Sequence, residues 1–169
     1  MRKTKKIWMD GKLIDWDDAK IHILTHALHY GTACFDGIRG NWNEQQQLFL
    51  FRVKDHYERM HKGCRLLKIT LPYSVDELCR LTVEVVDRSG YREDVYVRPM
   101  AYKSSEAIGV RLHDLEDDFF IVVAILPAYL DADKGVRCLQ RRWSCEPGVR
   151  SLGHAAAAGG TLSASLSPG

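Results

Sequence analysis

The stretch that most constrains the fold is His26-Ala27-Leu28-His29-Tyr30-Gly31-Thr32-Ala33-Cys34-Phe35-Asp36-Gly37-Ile38-Arg39. It reads as a short helical turn, a break at Gly31 and then an extended strand. Successive side chains of a strand point to opposite faces. Ala33, Phe35, Gly37 and Arg39 therefore share one face, and Thr32, Cys34, Asp36 and Ile38 the other. The first face carries an aromatic wall, a gap with no side chain and a cation. It can hold a ligand with an apolar part and an anionic part. The plainer reading is a half-buried strand ending at the surface.

The rest of the chain supplies elements that a sheet of this kind needs. Ile7 to Ile14 reads as a hairpin, two alternating runs joined by Asp10-Gly11. Leu48 to Phe51 is a short apolar strand, and Lys54 to Lys68 a helix with Tyr57, Met60, Cys64 and Leu67 at core spacing. Ser74-Val75-Asp76-Glu77 is a capping box, and it opens a helix that ends near Gly90. Asp94 to Tyr102 alternates, with Val95, Val97 and Ala101 on one side and Tyr96, Arg98, Met100 and Tyr102 on the other. Lys103 to Asp118 is a polar loop holding Ile108 and Val110, and Phe119 to Leu126 is another strand. A turn at Asp131–Gly135 leads into a last short strand, Val136 to Cys138. The class is α/β of the α+β type, a mixed sheet of about five or six strands with two main helices packed on it.

Two arginines stand out. Arg98 lies between Val97 and Pro99 in a strand that reads as buried, and a buried guanidinium needs an anion. That anion is either an internal carboxylate such as Asp36 or a ligand carboxylate gripped bidentately beside the Tyr96 hydroxyl. Arg59 sits at the edge of a helix stripe, as a solvated arginine or with its guanidinium turned back to the sheet. His22, His26 and His29 fall at spacings that would share one helix face. No acid separates His22 from His26, so packing and local hydrogen bonding are preferred to a metal site.

Taken in order, several separated motifs resemble the branched-chain-amino-acid aminotransferases, the fold-type IV enzymes that use pyridoxal phosphate. They are Asp18-Ala19-Lys20-Ile21-His22, the His26–Arg39 run, Val53 to His61, Val95-Tyr96-Val97-Arg98-Pro99 and Ala128-Tyr129-Leu130. The likeness runs from about residue 6 to about residue 138. It implies the small N-terminal domain over 1–130, the start of the linker and large domain over 131–143, and a divergent tail over 144–169. Within that domain it implies that Arg59 holds the cofactor phosphate. Tyr30 and Phe35 would line the side-chain pocket, with Gly37 keeping space open. Arg39, Tyr96, Arg98 and Tyr129 would complete the substrate site, and Ile108 and Val110 would reach a neighbouring subunit's pocket. The implied reaction moves an amino group between leucine, isoleucine or valine and 2-oxoglutarate, in a homo-oligomer. A D-amino-acid aminotransferase or an aminodeoxychorismate lyase would use the same fold.

The family's Schiff-base lysine has no counterpart here. Lys134 is the final lysine, in an acidic turn, and Ala155-Ala156-Ala157-Ala158-Gly159-Gly160 stands where that lysine is expected. The chain therefore reads as truncated before the large domain, with a tail that is out of frame or disordered. It has no catalytic residue of its own, and a non-catalytic dimerisation module is the rival reading. The 46% hydrophobic and 27% charged composition is that of a globular protein. A formal net charge of +2 in 169 residues provides no field for nucleic acid or anionic membrane. Five cysteines without CxxC spacing, behind a basic start with no apolar run, point to reduced thiols in the cytoplasm.

Overall fold

The computed structural model describes residues 2–126. Tyr129, the Lys134 turn, the strand at 136–138 and the tail from 144 lie outside the described residues. The described part runs β1 (Lys6–Met9), β2 (Lys12–Asp15), α1 (His26–Tyr30), β3 (Ala33–Phe35), β4 (Ile38–Trp42), β5 (Leu48–Leu50), α2 (Val53–Leu66), α3 (Val75–Ser89), β6 (Val95–Lys103) and β7 (Asp117–Ala124). The sheet order is β2-β1-β7-β6-β4-β5, with β3 paired to β6, and every described strand pairing is antiparallel. The described part is thus an α+β arrangement of antiparallel sheet and two main helices.

Local chemistry explains most of the boundaries. Asp10 and Gly11 both take positive φ, +48° and +86°, as the tight turn between β1 and β2 requires. Ser74 accepts the Glu77 N–H, and the Glu77 carboxylate accepts the Ser74 N–H at 2.7 Å, so α3 starts with two satisfied donors. It stops at Gly90, which takes φ +68°.

One strand is interrupted for a nameable reason. Ala33 to Phe35 and Ile38 to Gly40 pair with Met100 to Tyr102 and Val95 to Val97 in one unbroken register. Between them Asp36 N–H donates to the Pro99 carbonyl at 3.1 Å. Pro99 has no N–H to return, so the ladder opens at Asp36-Gly37. The register survives, so the alternation across that run survives with it.

Helices α2 and α3 cover one face of the sheet. Tyr57, Met60, Cys64, Leu78 and Val85 pack there against Ile38, Val95, Val97, Ile121 and Val123. Full burial of a large apolar side chain stabilises by about 1.5–3 kcal/mol, so this layer dominates the domain's stability. Tyr57 puts its hydroxyl 2.5 Å from that of Thr82, satisfying both polar atoms inside it. Burial pushes the Cys64 thiol up to about 12, and Cys34, Cys64 and Cys79 are free thiols.

Two expectations are corrected here. Lys103 does not begin the polar loop; it ends β6 and is buried, 2.8 Å from Asp117 Oδ1 and donating to the Lys68 carbonyl at 2.7 Å. A strand residue on the helix-covered side can be an ammonium when a carboxylate is built beside it. His22 precedes α1 rather than sharing its face with His26 and His29. The three rings go to different partners: His22 to Glu106, His26 to Thr32 and Gly109, and His29 to the Ile23 carbonyl.

Candidate functional site

The alternating residues of β3, β4 and β6 meet on the sheet's other face, away from α2 and α3. Gly37 lies opposite Arg98 in the shared register, with Phe35 opposite Met100 and Arg39 opposite Tyr96. Phe35 is 57% exposed, and the Arg98 guanidinium carbon stands 4.3 Å from its ring centroid. Arg98 Nε donates to Tyr96 Oη at 2.9 Å, and the Tyr96 ring centroid is 5.1 Å from the guanidinium. A Cβ on Gly37 would come within 2.5 Å of Tyr96 Oη, so glycine leaves the space that this tyrosine fills. Arg98 is half-buried rather than deeply buried.

No carboxylate among the described residues pairs with Arg98. The expectation that Asp36 could neutralise it is overturned. Asp36 follows Phe35 along the strand and so points to the opposite, helix-covered face. There Arg59 grips it in a fork, Nε to Oδ2 at 3.0 Å and Nη2 to Oδ1 at 2.8 Å. His56 Nδ1 lies 2.9 Å from the same Oδ1 and 3.0 Å from Arg59 Nη2. That nitrogen donates to the carboxylate or accepts from the guanidinium, one at a time. Burial raises the Asp36 carboxyl, but hydrogen bonds from Arg59, His56 and the Gly37 N–H outweigh it and hold the group below the usual range.

The anticipated site residues therefore fall into three groups. Phe35, Gly37, Tyr96 and Arg98 form one contiguous cluster, with exposed Arg39 at its edge. Arg59 stands apart on Asp36, its side chain 69% exposed. Tyr30, Ile108 and Val110 form a third group at α1 and the 104–116 loop, where Tyr30 Oη accepts the Gly109 N–H at 2.8 Å. Tyr129 lies outside the described residues. Sequence reasoning missed Asp36 and His56 as the partners of Arg59. The signals were there: Asp36 sits on the face opposite Phe35, and His56 is three residues before Arg59 on a helix, hence beside it.

The family model for class IV amino-transferases matches residues 33–154. The chain belongs to that family. It is 40% identical over 137 residues to a probable branched-chain-amino-acid aminotransferase of Aquifex aeolicus, covering 80% of this chain and 44% of the relative. It is 30% identical over 170 residues to the branched-chain-amino-acid aminotransferase of Escherichia coli K12, covering 98% of this chain and 54% of that one. Among solved structures, the branched-chain amino acid aminotransferase from Thermobaculum terrenum in its PLP-form superposes with a TM-score of 0.68. It shares 29% identity over 76% of this chain and 42% of its own. The chain thus spans about half the length of the curated relatives it matches. Both the family model and the E. coli alignment run past Cys138, where the motifs alone place the end of the likeness.

Proposed function

We propose that this chain carries the substrate-recognising face of a pyridoxal-phosphate-dependent branched-chain transaminase, with leucine, isoleucine or valine as amino donor and 2-oxoglutarate as acceptor. Arg98 is the observation that carries the reading. A half-buried guanidinium with no described carboxylate partner, fixed through Nε on Tyr96 and laid over Phe35, presents its remaining donors to an incoming carboxylate. The Phe35 ring next to it offers apolar surface for an aliphatic side chain. Gly37 leaves room for the Tyr96 tip that fixes Arg98.

The residues present also fit the cofactor's phosphate. Arg59 keeps its fork on Asp36 while Nη1 has no partner among the described residues, and its exposure leaves that edge open to an anion. Pyridoxal phosphate, when bound, supplies the electron sink for amino-group transfer. Ile108 and Val110 reach, in this reading, the pocket of a second copy in a homo-oligomer, from a loop that Tyr30 holds through the Gly109 N–H. Lys103 is an unsuitable attachment point because its ammonium is held by Asp117 and the Lys68 carbonyl. In this reading the 169 residues do not transaminate by themselves, and the protein works in the cytoplasm.

The test is a heteronuclear NMR titration of the purified chain with 4-methylpentanoate. Shifts at Phe35, Tyr96 and the Arg98 side chain, lost in Arg98→Lys, are expected; an unperturbed Arg98 overturns the carboxylate role. In parallel, pyridoxal phosphate and leucine are added and adducts trapped with borohydride. Scattered surface adducts without turnover are expected, and one stoichiometric lysine adduct with leucine turnover overturns the inactivity. A second reading, a non-catalytic association module, is favoured by Ile108 and Val110, which are 73% and 84% exposed. Dimerisation by light scattering without any carboxylate binding would select it.

A further inference from the structure

The His26–Tyr30 turn contributes a ring that the substrate face does not use. His26 is 1% exposed, and both ring nitrogens are engaged. Nδ1 lies 2.8 Å from Thr32 Oγ1, and Nε2 lies 2.7 Å from the Gly109 carbonyl oxygen. A carbonyl oxygen only accepts, so Nε2 carries a hydrogen and donates it. The other polar group of the same glycine is held as well, its N–H donating to Tyr30 Oη. The two rings lie 4.5 Å apart, so a single helical turn grips both the N–H and the C=O of one distant residue. The His26 N–H reinforces this by donating to the Ser105 carbonyl at 2.9 Å.

Gly109 adopts φ +154°, a backbone shape that side chains rarely allow. Its neighbours Ile108 and Val110 are the exposed apolar pair of the loop. They lack packing of their own, so the glycine's anchorage decides where they stand.

We infer that His26 is the positioning residue of the 104–110 loop. With Tyr30 it fixes the Gly109 backbone, and so sets the spacing and direction in which Ile108 and Val110 are presented. That these two side chains select an aliphatic substrate rests on the transaminase reading. The clamp itself does not, and its test uses no substrate.

Amide hydrogen exchange of the purified chain reads the clamp directly. His26→Leu keeps an apolar side chain of similar bulk and removes both ring hydrogen bonds. Exchange across 104–110 is expected to quicken about tenfold or more while Val97 and Ile121 in the core keep their protection. His26→Gln retains an N–H donor for the carbonyl and is expected to restore most of the loop's protection. Unchanged loop exchange in His26→Leu, or loop and core quickening by the same factor, overturns the inference. Should His26→Leu fail to fold, Tyr30→Phe removes only the acceptor of the Gly109 N–H. Its Gly109 amide must then exchange about tenfold faster with the core unmoved, and unchanged exchange overturns the inference equally.

Discussion

The two faces of the sheet treat an arginine in opposite ways. On the helix-covered face Arg59 reaches Asp36, a carboxylate 7% exposed and also touched by His56, so the charges there close on one another. On the other face Arg98 finds an aromatic ring and a phenol but no described carboxylate. A buried anion left without its cation is destabilising, whereas a half-buried cation at the rim stays solvated until a ligand arrives. The paired arginine therefore helps to hold the fold together, and the unpaired one is the arginine to which we assign a ligand carboxylate. Arg59 differs from a fully closed pair in that its Nη1 has no partner among the described residues.

Several substitutions would break or sharpen that contrast. The largest effect is expected from the covered face, where Ile121→Ala should lower unfolding free energy by about 2–5 kcal/mol in urea denaturation. Phe35→Ala on the other face should lose far less, and an equal loss would erase the difference between the faces. Asp36→Asn comes next, at about 1.5–3 kcal/mol, because it weakens charge-assisted bonds to Arg59 and His56. Its signature is in the pH dependence. The folded-state Asp36 value lies below the unfolded value of about 3.9, so its stabilisation is fully present above that value and is lost as pH falls through the folded one. Asp36→Asn should flatten the acid limb of the stability profile; an unchanged limb would mean that another carboxylate governs it.

Gly37→Ala should cost about 1 kcal/mol or less, because the atom in the way is the tip of Tyr96, which can swing aside. The same swing would detach Arg98 Nε, so carboxylate binding should weaken more than stability does. Calorimetric titration beside denaturation separates the two quantities. Arg98→Lys is the smallest in stability, within about 0.5 kcal/mol as for a residue with no buried partner. In carboxylate affinity it should lose about tenfold or more, since an ammonium cannot reproduce the fork. If Arg98→Lys destabilised the fold as much as Asp36→Asn does, Arg98 would be a structural residue.

Local chemistry is legible in the sequence. The Ser74–Glu77 box and Gly90 bound α3, the Asp10-Gly11 pair closes the first hairpin, and strict alternation sorts Tyr96, Arg98 and Met100 from Val95 and Val97. Each of these depends on neighbours within a few residues, where φ preferences, caps and the two-residue period act directly. The same alternation brought Phe35 and Gly37 to one face, and only their pairing with β6 set them against Arg98. Partner choice across long distances was not legible in that way. Asp36 could meet either arginine on charge alone, and the packing of α2 on the sheet gave it to Arg59. Lys103 reads as a loop lysine in the sequence, whereas the fold sets Asp117 beside it on the helix-covered side of the sheet. The division of Tyr30, Ile108 and Val110 from the Phe35–Arg98 cluster likewise needed the Gly109 anchorage. The sequence by itself determined the elements and their faces, because those follow from short-range sterics and periodicity. Tertiary structure alone decided which charges are neutralised and which stay without a described partner, because that depends on contacts between residues more than a dozen positions apart.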